Sequence, residues 1–217
     1  MGKTIAAYVG DYYHPSAPIR SALERALESE LADGAVGIRF AEDAETFVAM
    51  LADKPDAAIL FAENRIDPIR EPEQTWMKDA HAASVTGYVE EGGGWLAWHS
   101  GLASYPPEGE YVRMLRGYFL SHPTDHAVVR YDYAESTNGI SGFELLDEHY
   151  FVRCEVPDTE VFLRSASVDG ESIAGWRHAF GEGRVCCLTP AHREDGLCHG
   201  SVLLALREAV RWTARLS

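Results

Sequence analysis

Positive charge is scarce in this chain: 19 Lys and Arg stand against 34 Asp and Glu, a formal net charge of −15. A field of that sign repels phosphates, so neither nucleic acid nor an anionic membrane is an expected partner. Long apolar runs are missing as well. No stretch reaches the ~18 uninterrupted apolar residues that a membrane-spanning helix requires. Met1-Gly2-Lys3-Thr4 passes straight into a strand-like Ile5-Ala6-Ala7-Tyr8-Val9, without the apolar core or cleavage site of a signal peptide, which points to the cytoplasm. Cysteines are few, four in all: Cys154, Cys186, Cys187 and Cys198. Cys186 and Cys187 are neighbours in a strand-like run, so their side chains point to opposite faces and cannot bridge each other. Free thiols in a reducing compartment are expected. Repeats and low-complexity linkers are also absent. With 217 residues and 46% hydrophobic side chains, the chain reads as one packed domain spanning 1–217.

What is present is an alternation of short apolar runs with amphipathic segments. Residues 4–9 read as a buried strand opening into Gly10-Asp11-Tyr12-Tyr13-His14-Pro15, where the proline holds His14 extended. Ser16 is the expected N-cap of a helix carrying Ile19, Leu23, Leu27 and Leu31, with Asp33-Gly34 as its stop. Residues 36–40 form a second strand and residues 44–52 a short helix. Ala57-Ala58-Ile59-Leu60-Phe61 is a continuous apolar run of the kind found in central parallel strands. A polar loop over 63–73 and a helix over 74–91 lead to Gly92. Three such units in succession predict an α/β fold with a doubly wound parallel sheet. Beyond residue 99 the pattern weakens to a helix over 110–115, an aromatic, turn-rich segment over 116–123, and strands near 128–133, 140–146 and 161–163. An added β-hairpin near the C-terminus joins 173–179 to 184–188 through Gly181-Glu182-Gly183. A final helix starts at Gly200 or Ser201, with Leu203, Leu206 and Val210 as its core stripe. Met50, Met77 and Met114 are core filler.

The chain is organised around Gly92-Gly93-Gly94-Trp95-Leu96-Ala97-Trp98-His99-Ser100-Gly101: a helix stop, a buried strand, and a tight turn that presents His99. Ala97-Trp98-His99-Ser100-Gly101 has the outline of a nucleophile elbow, small-x-nucleophile-x-Gly, with imidazole in the central place. His14, His99, His192 and His199 all follow strands, and in a parallel sheet those exits share one edge, where ligands bind. Convergent imidazoles with a nearby acid suit either a divalent metal such as zinc or a general acid/base pair. The metal candidates are His99, His192 and His199, although the step from His192 to His199 matches no standard zinc spacing. Glu148, in Asp147-Glu148-His149-Tyr150, is the carboxylate candidate. His14, His122, Tyr13, Tyr118 and Trp176 are candidates for the substrate-binding walls, with core packing as the other reading of Trp176. His81, His126 and His178 read as ordinary surface or strand positions.

In order along the chain, the 92–100 segment, Gly117-Tyr118-Phe119-Leu120-Ser121-His122-Pro123, Asp147-Glu148-His149-Tyr150 and Trp176-Arg177-His178-Ala179-Phe180-Gly181-Glu182-Gly183-Arg184-Val185 resemble the ThuA-like (trehalose utilisation) family. His192 and the closing Val210-Arg211-Trp212 fit the same pattern, and the resemblance runs over roughly 4–215. His178 stands where the family has arginine, and Ala191-His192 where it has Gly-His. The resemblance implies a flavodoxin-like fold of the class I glutamine amidotransferase type, in which the elbow carries cysteine and a late His-x-Glu completes a triad. His192 and Glu194 match that His-x-Glu. With His99 at the elbow there is no thiol to form a thioester, so glutamine hydrolysis is not expected.

The function implied is the processing of trehalose or a related disaccharide or keto sugar, with His99, His192 and Glu148 as catalytic groups and a small carbohydrate as partner. Two alternatives remain: a non-catalytic carbohydrate-binding module on this scaffold, and a metal-dependent hydrolase. A homo-oligomer is the default expectation for an acidic domain of this size.

Overall fold

Apolar five-residue runs become the central strands, because only a strand covered on both faces can bury every side chain in sequence. A computed structural model describes residues 2–137 and 139–216; Met1, Asn138 and Ser217, which the expected span 1–217 includes, lie outside the described residues. The first half holds β1 (Lys3–Val9), α1 (Ser16–Ala26), α2 (Glu28–Ala32), β2 (Val36–Phe40), α3 (Ala44–Leu51) and β3 (Ala57–Phe61). A small hairpin of β4 (Arg65–Asp67) and β5 (Glu71–Thr75) precedes α4 (Asp79–Glu90) and β6 (Gly94–Trp98). A 3₁₀ turn over His99–Leu102 then leads to α5 (Glu110–Leu115), β7 (Gly117–Ser121), β8 (Ala127–Thr137), β9 (Ile140–Asp147) and β10 (Phe151–Cys154). The chain closes with β11 (Glu160–Ser167), β12 (Gly170–Phe180), β13 (Gly183–Leu188), α6 (Glu194–Leu197) and α7 (Gly200–Thr213).

Nine strands form one sheet in the order β2-β1-β3-β6-β13-β12-β11-β8-β9. The first five are parallel to one another, and their order is the 2-1-3-4-5 of flavodoxin-like sheets. The other four are antiparallel, so the extension near the C-terminus is larger than a single added hairpin. β7 and β10 pair separately as a two-stranded ribbon.

Alternation along the strands divides the core into two layers. Ile59, Phe61, Leu96, Trp98, Cys186 and Leu188 face one side with Ile19 and Leu23 of α1 and Ala205 and Leu206 of α7. Ala58, Leu60, Trp95, Ala97, Val185 and Cys187 face the other, under Phe47 of α3, Val85 of α4 and Met114 of α5. Each fully buried large side chain contributes about 1.5–3 kcal/mol. Cys186 and Cys187 therefore lie on opposite faces, and all four cysteines are free.

Local details differ from expectation where side-chain chemistry gave no signal. Pro15, not Ser16, occupies the cap of α1, which offers no side-chain hydrogen bond. The expected helix over 74–91 begins only at Asp79, and the expected loop over 63–73 contains a hairpin whose outer strand is largely exposed. No helix among the described residues is long and apolar enough to cross a membrane.

Candidate functional site

Parallel strands end together, so the segments that follow β1, β3, β6 and β13 meet at one edge of the sheet. β1 and β3 are neighbours whose connections run in opposite directions across the sheet, the switch point where such folds open a crevice. His99 leaves β6 with φ of +47°, a left-handed conformation that a non-glycine residue adopts at a cost of about 1–3 kcal/mol. Gly101 makes that turn possible, because a Cβ there would lie 2.3 Å from the carbonyl oxygen of Leu60. The elbow geometry read from the sequence is therefore present, with imidazole at its tip.

His14 and His99 are each held from behind. The His14 ring Nδ1 donates to Asp11 Oδ1 at 2.6 Å, and Asp11 also accepts the backbone N–H groups of Tyr13 and Glu63. The His99 Nδ1 lies 2.7 Å from the Thr189 carbonyl oxygen, which can only accept, so Nδ1 carries the proton and Nε2 is left as a lone pair. That Nε2 is buried and has no hydrogen-bond partner. His14 Nε2 lies 2.9 Å from His192 Nδ1.

The carboxylate arrives from the far edge of the sheet. Glu148 directly follows β9, and its oxygens lie 3.3 Å from His122 Nδ1, 3.4 Å from His192 Nδ1 and 3.7 Å from His99 Nε2. The adjacent Asp147 is fully buried; it accepts the His192 backbone N–H and the Tyr131 hydroxyl at 2.9 Å each, which locks the β9 end against the loop after β13.

Burial and charge set the protonation states. Burial pushes Glu148 upward, but the hydrogen bond and charge of His192, with His122 and His14 behind it, outweigh this and hold it below the usual carboxylate range. The same hydrogen bond raises His192 against its burial. Burial drives His99 well down, reinforced by the charges of His14 and His192, so it is neutral. Burial raises Asp11, yet the hydrogen bond and charge of His14 bring it below its ordinary value.

His14, His122, Glu148 and His192 line a cavity of about 350 Å³ together with Tyr13, Glu63, Arg65, Phe119 and Tyr150, whereas His99 is fully buried against the Tyr150 ring, outside that lining. Of the expected site residues, His14, His122, Glu148, His192 and Tyr13 line it, and His99 packs directly against His14 and His192 behind them. Three lie elsewhere. Tyr118 is one residue out of phase on β7, and its neighbour Phe119 takes the wall position. Trp176 is fully buried in the core with its indole N–H on the Leu115 carbonyl at 2.8 Å. His199 caps α7 by accepting from the Ser201 N–H and is not part of the imidazole cluster. Glu194 is exposed at the start of α6; the carboxylate beside His192 is Glu148.

Asp11 and Glu63 were legible by the same rule as His14, since each follows a parallel strand. His126 was not. It becomes a neighbour of His192, with ring centroids 5.1 Å apart, through the pairing of Ala127 with Asp147. Two sets of ligand atoms each fall within a 4.8 Å spread: those of His14, His99 and His192, and those of His126, Glu148 and His192.

The family described as ThuA, trehalose utilisation, matches residues 9–213. This chain belongs to the ThuA family. No curated protein sequence matches it. A ThuA-like protein from Parabacteroides merdae superposes with a TM-score of 0.73 at 12% identity, over 99% of this chain and 90% of that one. One from Bacteroides uniformis gives 0.68 at 16% identity, over 98% and 91%. The β-galactosidase from Bacillus circulans sp. alkalophilus gives 0.65 at 13% identity, over 97% of this chain but 31% of its own length. At these identities the likeness is one of fold.

Proposed function

We propose that this ThuA-family chain is a carbohydrate-processing enzyme that acts on a disaccharide such as trehalose or on an oxidised, keto-bearing sugar. One observation carries this reading: the Glu148 carboxylate lies within 3.3–3.7 Å of three imidazoles in a cavity walled by the rings of Tyr13, Phe119 and Tyr150. Flat apolar walls suit the faces of sugar rings, and convergent polar groups suit their hydroxyls. Glu63 adds a buried carboxylate oxygen without a partner, an acceptor for a sugar O–H.

A ketone acidifies the neighbouring C–H bond. Glu148 takes that proton as general base, the electron pair moves toward the carbonyl oxygen, and an N–H of His192 or His122 stabilises the developing enolate. His99, fully buried beside the cavity, backs the Tyr150 ring and faces Glu148 with its Nε2. The elbow holds imidazole where class I glutamine amidotransferases, whose scaffold this one resembles, hold cysteine, so thioester chemistry has no place here.

The test compares His99→Ala/His192→Ala with the parent protein in calorimetry and turnover assays on disaccharides and their keto derivatives. Loss of turnover in the double variant is the expected result, and full retention removes the reading. Tight binding with no product from the parent would make the chain a carbohydrate-binding module instead.

A further inference from the structure

Three ring nitrogens from three separate strand exits face one point, and two of them must present lone pairs. The His99 Nδ1–H is committed to a carbonyl oxygen and the His14 Nδ1–H to a carboxylate, which leaves Nε2 of both as unprotonated acceptors when the rings are neutral. A carboxylate or backbone carbonyl behind an imidazole is the arrangement that orients histidines as metal ligands. His192 Nδ1 completes the group, 2.9 Å from His14 Nε2, and Glu148 Oε2 stands 3.4 Å from the same atom.

At that distance the two nitrogens either share a proton in an ordinary hydrogen bond or face a common cation, and the proton alone would leave His99 Nε2 without a partner. The buried lone pair on His99 Nε2 has no donor, an unfavourable state for a polar atom shielded from water. One positive centre answers both. In a tetrahedral site with bonds of about 2.0 Å to nitrogen, ligand atoms sit roughly 3.3 Å apart, within the 4.8 Å spread of these three nitrogens.

We propose that His14 Nε2, His99 Nε2 and His192 Nδ1 bind one divalent transition-metal ion of the zinc type, with Glu148 beside it as a fourth ligand or as the base acting on what the ion holds. The donor set, three imidazoles and a carboxylate, suits zinc and its borderline neighbours over magnesium or calcium, which take oxygen. The site shares the cavity of the carbohydrate reading and deepens it by naming the electrophile that would face a ketone oxygen. His199 stands outside the site, so the ligands are one histidine per strand exit.

The experiment uses the full chain without a histidine tag. Metal is removed with a chelator, and the protein is titrated with zinc by calorimetry and with cobalt by visible absorption, alongside elemental analysis of the protein as purified. One equivalent with nitrogen-ligand cobalt bands is expected. His14→Gln and His192→Gln should each weaken zinc binding at least 100-fold, Asp11→Asn 10- to 100-fold through ring orientation, and His199→Gln not at all. Circular dichroism confirms that each variant is folded. Less than a tenth of an equivalent with no cobalt bands overturns the proposal, as does unchanged affinity in folded His14→Gln and His192→Gln. Turnover of a keto sugar by metal-free protein would remove the metal and leave the acid/base reading standing. Stoichiometric zinc without any sugar binding would do the reverse.

Discussion

The phenol ring of Tyr150 lies almost flat on the imidazole of His99, with centroids 4.1 Å apart and planes 24° from parallel. Phe119 of β7 also packs on Tyr150, at 4.4 Å, so the ribbon that Tyr150 leads into holds the ring against the elbow histidine. Tyr150→Phe keeps the stack and should lie close to the parent in melting temperature and ligand affinity. Tyr150→Ala removes it and should cost about 3–5 kcal/mol, the range for deleting a buried aromatic ring, with a parallel loss of sugar affinity by calorimetry. Equal stability of the two variants would contradict the role assigned to the ring.

Glu148 and Asp147 are adjacent carboxylates with different work. Glu148→Gln keeps the shape and removes the base, so turnover should fall about 10²–10⁴-fold while the denaturation midpoint moves little. Asp147→Ala strands the His192 N–H and the Tyr131 hydroxyl and should destabilise by about 1–3 kcal/mol per group left unpaired. A reversal of this pattern in paired melting and kinetic measurements would refute the division.

His178, far from the site, makes stability depend on pH. Its Nε2 donates to the Met114 carbonyl at 2.9 Å, and burial lowers its pKa to about 4. In the unfolded chain it titrates near 6.5. Between these values the unfolded state holds the extra proton, so stability is complete above about pH 6.5 and falls as pH drops toward 4. The full effect is of order 3 kcal/mol. Urea midpoints of His178→Gln should therefore change less between pH 7.5 and 5 than those of the parent, and an equal change in both would rule this out.

Two glycines should respond oppositely to alanine. At Gly101 the added methyl would meet the Leu60 carbonyl oxygen at 2.3 Å, costing about 1–3 kcal/mol and disturbing the elbow. At Gly87, inside α4, nothing lies within 4 Å, so Gly87→Ala should stabilise by about 0.5–1 kcal/mol. Thermal melts of the two variants decide the point.

The parallel half of the molecule was legible because its strands are buried on both faces. The runs 57–61 and 94–98 are almost purely apolar, and the rule that parallel strands share an exit edge predicts the meeting of His14, His99 and His192. The antiparallel half was harder. β8, β9 and β11 alternate polar with apolar residues, and their order depends on pairings between distant segments such as Leu163 with Tyr133. Glu71–Thr75 carries no apolar face, so its pairing with β4 left no trace in the pattern. The same limit hid His126 and exchanged Tyr118 for Phe119, since a one-residue phase on a short ribbon decides which ring reaches the cavity.

The carboxylate and the imidazoles of this site come from different parts of the sheet. The imidazoles of His14, His99 and His192 ride on the parallel strands at its centre, whereas Glu148 hangs from β9, the outermost strand, moored there by Asp147. Those Asp147 contacts, to the His192 N–H and the Tyr131 hydroxyl, are what tie the carboxylate to the histidines. The sheet's rim thus answers for the carboxylate half of a site whose imidazole half its middle supplies.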